Sequence, residues 1–436
     1  MNVTLKKTFL SGLFLCIYSL LFYCQFTLQL RLDFSSFYSA ALAYKENLDP
    51  YKCLVASYFA SPEKLPANLN PPFFLQLISP LTELNFQMAS SLWFLFSFIL
   101  GSLGALLSFK ITCSKDIFKN NWLILLFIYL GMFSTLMNIG IGQMGAILFF
   151  CIIVGYYFYL QNQDYLAGGF WGVIIALKFF PALLFIYVLI QKRYTVFIVM
   201  LLTFLLACLL PFLIKGASIY SLYLNMLPRV LWFGDNWNAS LYGFLFRIFI
   251  DIKSPENVWF IKITYLFFFL SLLIWYIKKI SLLGKSADHR AFCFTLVMML
   301  LMSPLGWLYY FSLLIMPLTV IWQSFFQEQP ASNTKRALWV VGLFIINFPI
   351  GYVQVLDMHS YLYKLTAYSL YFYGLIIIAY LVSQLPEPSE VNINKQEKII
   401  DLNPLKITLA LGLLMTISNL FIKVFLKIKT VDAFIQ

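Results

Sequence analysis

YTVFIVMLLTFLLACLLPFLI, residues 194–214, runs for 21 residues without a charge, directly after Lys192 and Arg193. The hydrocarbon core of a bilayer is crossed by about 20 residues of α-helix, so this stretch has the length and composition of a membrane span. Comparable runs occupy about 8–30, 86–109, 122–138, 144–160, 258–277, 291–302, 308–323, 337–350, 362–382 and 405–422. Between them the chain is 61% hydrophobic and 11% charged, against roughly 45–50% and about 25% in soluble proteins. So little charge cannot clothe a soluble fold, whereas lipid-facing surface is free to be apolar all round. The expected class is an all-α polytopic membrane bundle of about 12–13 spans, with external loops carrying interfacial helices.

Charge placement orients the bundle. Lys6 and Lys7 precede the first run, and Lys110, Lys115, Lys119, Lys192, Arg193, Lys278 and Lys279 fall in short breaks. By the positive-inside rule these breaks and the N-terminus are cytoplasmic. Residues 31–85 and 215–257 are then the two long external segments, and the aromatic content of the second suggests a helix lying in the interface. The first run is too long for a signal-peptide core and lacks a small-residue cleavage site, so it reads as a retained helix. Residues 165–190 are too long for one straight span and are broken by Lys178 and Pro181. A pair of short helices with Lys178 at the turn fits them, and one kinked helix with a snorkelling lysine competes. Residues 1–383 form the expected membrane module and 384–404 a cytoplasmic linker. A helix follows within 405–436, but Lys423, Lys427 and Lys429 conflict with simple alternation, so it is expected to be interfacial or re-entrant.

Several function classes drop out. The net charge of +12 sits between spans, as topology signals do, and no basic and aromatic module points to nucleic acid. There is no CxxC pair, and His289 and His359 are far apart, so no metal or other cofactor is expected. No internal repeat stands out, which weighs against a transporter built from duplicated halves.

The residues with chemical potential lie at span borders. Asp33, just beyond the first run, reads either as a solvated helix end or as a general base near the lipid surface. Lys178 is costly in an apolar stretch and calls for an anionic partner, a lipid phosphate or a carboxylate. Arg229 and Arg247 flank Asp235-Asn-Trp-Asn-Ala-Ser240, where arginine suits phosphate and equally suits headgroup anchoring. Asn238-Ala-Ser240 fits the N-glycosylation pattern. Asp49-Pro50-Tyr51 and Asn70-Pro71-Pro72 read as turns that shape a cavity. Ser303-Pro304-Leu-Gly-Trp307-Leu-Tyr309-Tyr310 reads as a helix break with interfacial aromatics.

Taken in order, these pieces resemble glycosyltransferase family 87, multispanning enzymes that include mycobacterial mannosyl- and arabinosyltransferases. The resemblance runs from Asp33 through Asp49-Pro50-Tyr51, Asn70-Pro71-Pro72, Pro80-Leu81 and Trp93. It continues with Gly142-Gln143, Gly168 with Gly172, Lys178-Phe-Phe-Pro181, Asn238-Ala-Ser240 with Arg247, and Ser303-Pro304 with Trp307. It implies a GT-C fold with a catalytic first external loop on the outer face of the plasma membrane. It also implies transfer of a sugar, mannose or another hexose, from a polyprenyl-phosphate donor to a glycan or glycolipid acceptor, with inversion and without a metal. By that resemblance Asp33 is the base, and Lys178, Arg229 and Arg247 meet the departing phosphate. Tyr38, Asp49, Tyr51, Asn70, Gln143, Asn238, Trp307, Tyr309 and Tyr310 line the cavity. The family often carries a histidine after Ser-Pro…Trp, where this chain has Leu308, Tyr309 and Tyr310. The alternatives are a lipid-linked glycan flippase or transporter and a catalytically inactive relative.

Overall fold

The computed structural model describes residues 3–27, 32–52, 68–230, 232–250, 258–283, 289–328, 332–350 and 361–385. The linker and last helix expected within 384–436 therefore lie almost wholly outside the described residues. The architecture is all-α, and among the described residues the only extended pairing is an isolated bridge between Asn238 and Trp307.

In chain order the helices are α1 (Val3–Thr27), α2 (Leu32–Lys45), α3 (Pro72–Ile78), α4 (Phe86–Thr112), α5 (Lys115–Gly131) and α6 (Phe133–Ile141). They continue with α7 (Gly145–Leu160), α8 (Asp164–Leu177), α9 (Leu183–Ile190), α10 (Tyr194–Lys215), α11 (Ser218–Met226) and α12 (Leu241–Phe249). The remainder are α13 (Val258–Leu282), α14 (Arg290–Met302), α15 (Ile315–Trp322), α16 (Asn333–Asn347), α17 (Tyr361–Leu365) and α18 (Leu370–Ser383). Five described spans are long and apolar enough to cross a bilayer, or six if α5 and α6 count as one, and shorter apolar helices pack among them.

Burial sorts these helices. Every residue of α14 is buried, as expected of a helix apolar on all sides at the centre of a bundle. By contrast only Ile261, Tyr276 and Ile280 are buried along α13, so its remaining apolar surface suits lipid. Gly168 and Gly172 let α8 lie directly on α10: a Cβ at Gly172 would come within 2.6 Å of the Met200 carbonyl oxygen. Small residues four apart serve this close approach in membrane helices.

Two breaks depart from regular spans, one expected and one not. Residues 164–190 do form two short helices, with Lys178 in extended conformation between them (φ −152°, ψ 126°). Pro181 follows in a 3₁₀ turn, where its missing N–H and fixed φ prevent the first helix from continuing. The single span expected over 122–138 is instead bent by 63° between α5 and α6. Met132 is extended there, and the side-chain oxygen of Asn347 on α16 accepts from the Phe133 N–H at 3.3 Å. A distant asparagine thus satisfies a backbone donor that opens α6.

Candidate active site

Asp33 sits in the first turn of α2, a helix that is not among the candidate spans, and the helix dipole there favours a carboxylate. Gln143 donates its side-chain N–H to Asp33 Oδ2 at 2.9 Å. The other side-chain atom of Gln143, Oε1, accepts the Met144 N–H at 3.2 Å, which fixes the amide plane. This reach depends on Gly142, whose φ of +74° is left-handed and where a Cβ would lie 2.7 Å from the Phe34 Cβ. Trp93 donates its indole N–H to the Gly142 carbonyl at 2.8 Å. The glycine, the glutamine and the tryptophan named from sequence therefore form one device that holds Asp33.

Lys178, at the break after α8, lies within electrostatic reach of Asp33. The two do not touch: among the described residues the ion pairs are Lys45 with Glu83 and Arg193 with Asp164. Burial pushes the Asp33 carboxyl up to about 6, while the Gln143 hydrogen bond and the Lys178 ammonium pull in the opposite direction. A carboxylate balanced near neutrality has the range of a general base at working pH.

The 3₁₀ segment Leu308–Leu314 closes the other side. Tyr309 and Tyr310 both lie within electrostatic reach of Asp33, and Tyr309 also of Asp235. Phe180, two residues beyond Lys178, stacks on Tyr310 at 4.8 Å between ring centroids. Trp307 stacks on Tyr309 at 5.7 Å, with planes 21° apart. Asp33, Gln143, Lys178 and the adjacent Tyr309 and Tyr310 are thus brought together from four separate parts of the chain, next to Trp307.

Asn238 staples the second external segment to this region. Its Nδ2 donates to the carbonyls of Phe233 and Pro304, both at 2.9 Å. Its Oδ1 accepts from Gly306 N–H at 3.0 Å and Ser240 N–H at 3.2 Å. With every side-chain position engaged and no exposed surface, Asn238 is a brace; neither a cavity contact nor a glycosylation acceptor fits it. Arg247 serves the same loop. It is buried, and it donates to the Ser369 hydroxyl and to the carbonyls of Gly234, Asp235 and Asn238. The phosphate contact expected of Arg247 therefore gives way to a loop anchor, because its donors are spent on backbone.

A second cluster forms around the first external segment. Asp49 Oδ1 accepts the Tyr51 N–H at 2.9 Å, closing a turn. The buried Tyr51 hydroxyl donates to the Asn70 carbonyl at 3.0 Å, and Asn70 donates its Nδ2 to Asn68 at 2.7 Å. The exposed Arg229 donates to the Tyr51 carbonyl at 3.2 Å. Tyr38 donates to the Leu84 carbonyl at 2.8 Å, pinning α2 to the turn before α4. Tyr38, Asp49, Tyr51 and Asn70 are thus architectural as placed. Ring contacts of Tyr51 with Tyr223 and of Tyr223 with Phe179 join this cluster to Lys178.

Asp235 was not among the site residues expected from the sequence. Its Oδ1 accepts the Trp237 N–H at 2.8 Å, and burial raises its carboxyl against the pull of that bond and of Arg247. Its only signal in the sequence was a lone acid in an aromatic loop. Nearby, an apolar cavity of about 290 Å³ opens between Pro228, Val230, Phe233, Phe246 and the start of α13, with Lys262 at its edge.

A search of the curated proteins brings no match. The profile of glycosyltransferase family 87 matches residues 68–317, which takes in Gln143, Lys178, Asp235 and Tyr309 but not Asp33. With more than half of its length in that match, this multispanning chain belongs to glycosyltransferase family 87.

Proposed function

We propose that the site transfers a sugar from a polyprenyl-phosphate carrier to a hydroxyl of a glycan or glycolipid, with inversion, at the outer face of the plasma membrane. The observation that carries this reading is the Asp33 carboxylate, oriented by Gln143 and facing Lys178. Asp33 takes the acceptor's O–H proton as that oxygen attacks the anomeric carbon. The bond from that carbon to the phosphate oxygen breaks, and its electron pair leaves on the phosphate. Lys178 meets that charge from a fixed position, as a developing anion requires. Arg229, exposed beside the apolar cavity, suits the same phosphate, and the cavity suits the first isoprene units of the chain. Mannose or another hexose is the sugar we favour.

The test is transfer of radiolabelled sugar from synthetic polyprenyl-phosphate donors in membranes carrying wild type or Asp33→Asn. Loss of about 10²–10⁴-fold at equal expression supports the base; undiminished transfer refutes it. The tyrosines at the expected histidine position favour a second reading, an inactive relative. Wild-type membranes that transfer nothing from any donor, even to native lipid extract, would support that reading or a transporter.

A further inference from the structure

The proposed reaction gives a chemical step to one carboxylate, Asp33, and a second, Asp235, also lies within electrostatic reach of Tyr309. Asp235 reaches this position through its loop. Asn238 bridges to Trp307, the Trp237 carbonyl accepts the Leu308 N–H at 2.8 Å, and the Ala239 N–H donates to the Gly306 carbonyl at 2.9 Å. These bonds lock residues 237–239 onto 306–308, immediately beside the stacked rings of Trp307 and Tyr309. From behind, Arg247 donates to the Asp235 carbonyl oxygen at 2.6 Å. Asp235, Trp237, Asp33 and Lys178 each keep part of their surface exposed, while Gln143, Trp307, Tyr309 and Tyr310 around them are buried.

We propose that Asp235 is a sugar-binding carboxylate: held by its loop against the segment that carries Tyr309, it accepts hydrogen bonds from ring hydroxyls of a substrate sugar. This rests on the glycosyl-transfer reading above. The groups facing Asp235 are Tyr309, Tyr368 and Arg247, and the arginine's donors are spent on backbone and Ser369. Among the described residues no ion pair neutralises the carboxylate. A negative group in this setting repels a phosphate and suits neutral hydroxyls, with charge-assisted bonds about twice as strong as neutral ones. A rigid loop fixes its position, which is what discrimination between hydroxyl epimers needs. Asp235 thus binds the sugar directly, and proton transfer stays with Asp33.

The ring is that of the transferred sugar or that of the acceptor, and kinetics separates the two. The probes are polyprenyl-phosphate mannose and polyprenyl-phosphate glucose as donors, and methyl α-mannoside as soluble acceptor, with full-length protein in membranes. Asp235→Asn keeps an acceptor for the Trp237 N–H, so the turn persists while the charge is lost. A rise of about tenfold in donor KM, with weaker discrimination between the two donors and kcat within about twofold, assigns the transferred sugar. The same rise in acceptor KM alone assigns the acceptor ring. Asp235→Glu is expected to recover part of either loss. Unchanged KM values and unchanged discrimination overturn the proposal, as does a kcat loss matching that of Asp33→Asn. A wild type that transfers no sugar removes the glycosyl-transfer reading and this proposal together, an outcome distinct from an active wild type indifferent to Asp235→Asn.

Discussion

Gln143 and Asp33 stand 110 residues apart in sequence and share a hydrogen bond of 2.9 Å, the amide donating to the carboxylate. That bond favours the ionised acid, whereas burial favours the neutral one, and the balance lies at about 6. A general base works only when ionised. Sugar transfer is therefore expected to rise with pH through about 6 and to level off above it. Gln143→Leu removes the donor, so the rising limb should move up by on the order of one pH unit. A kcat/KM profile of the two proteins checks it; a limb that stays in place would mean that Asp33 is not the titrating group.

Lys178 acts on the same carboxylate and, in the proposed reaction, on the departing phosphate. Lys178→Met is expected to lower kcat by about 10²–10³-fold and to move the acid limb upward as well. Lys178→Arg keeps the charge and should retain more activity than Lys178→Met. Equal activity in Lys178→Met and wild type, measured with saturating donor, would remove the lysine from the chemistry.

Gly142 predicts a folding phenotype. Alanine there meets both a left-handed backbone, at a cost of about 1–2 kcal/mol, and a Cβ contact of 2.7 Å with Phe34. Gly142→Ala should lower the thermal midpoint in detergent and loosen the Asp33–Gln143 bond, so residual activity should show a shifted acid limb. A variant that melts and titrates like wild type would contradict the close approach of α2 to this turn.

Asn238→Ala strips four hydrogen bonds from a buried loop junction, and each group left unsatisfied costs about 1–3 kcal/mol. Low yield and a reduced melting temperature are expected, whereas Arg229→Ala should express normally and raise donor KM. Reversed phenotypes, with a stable Asn238→Ala and a destabilised Arg229→Ala, would exchange the roles of brace and ligand.

Length and composition made the membrane bundle legible, because an uncharged run such as residues 194–214 leaves few alternatives. The break at Lys178 and Pro181 was equally readable, since both residues oppose a continuous apolar helix. The bend at Met132 was not. Its local residues are as apolar as any span, and the group that opens α6 is Asn347, far along the chain. The site divides in the same way. Asp33 and Lys178 stood out because charge is rare beside or within a span. Arg247 looked equally free in sequence, yet its partners are backbone carbonyls, which carry no sequence signature. Asp235 stayed hidden because its position comes from loop-to-loop bonds rather than from its neighbours in the chain.

The enclosed Asn238 turns an apparent modification site into a clock. With the loop on the lumenal side of a eukaryotic secretory membrane, the Asn238-Ala-Ser240 acceptor is reachable only before the asparagine docks on Pro304 and Gly306. A glycan attached in that interval would occupy the space in which the loop meets Trp307, and the junction could not close. Glycosylated chains from such a host would be those that missed assembly, and the unglycosylated fraction would measure how many folded in time.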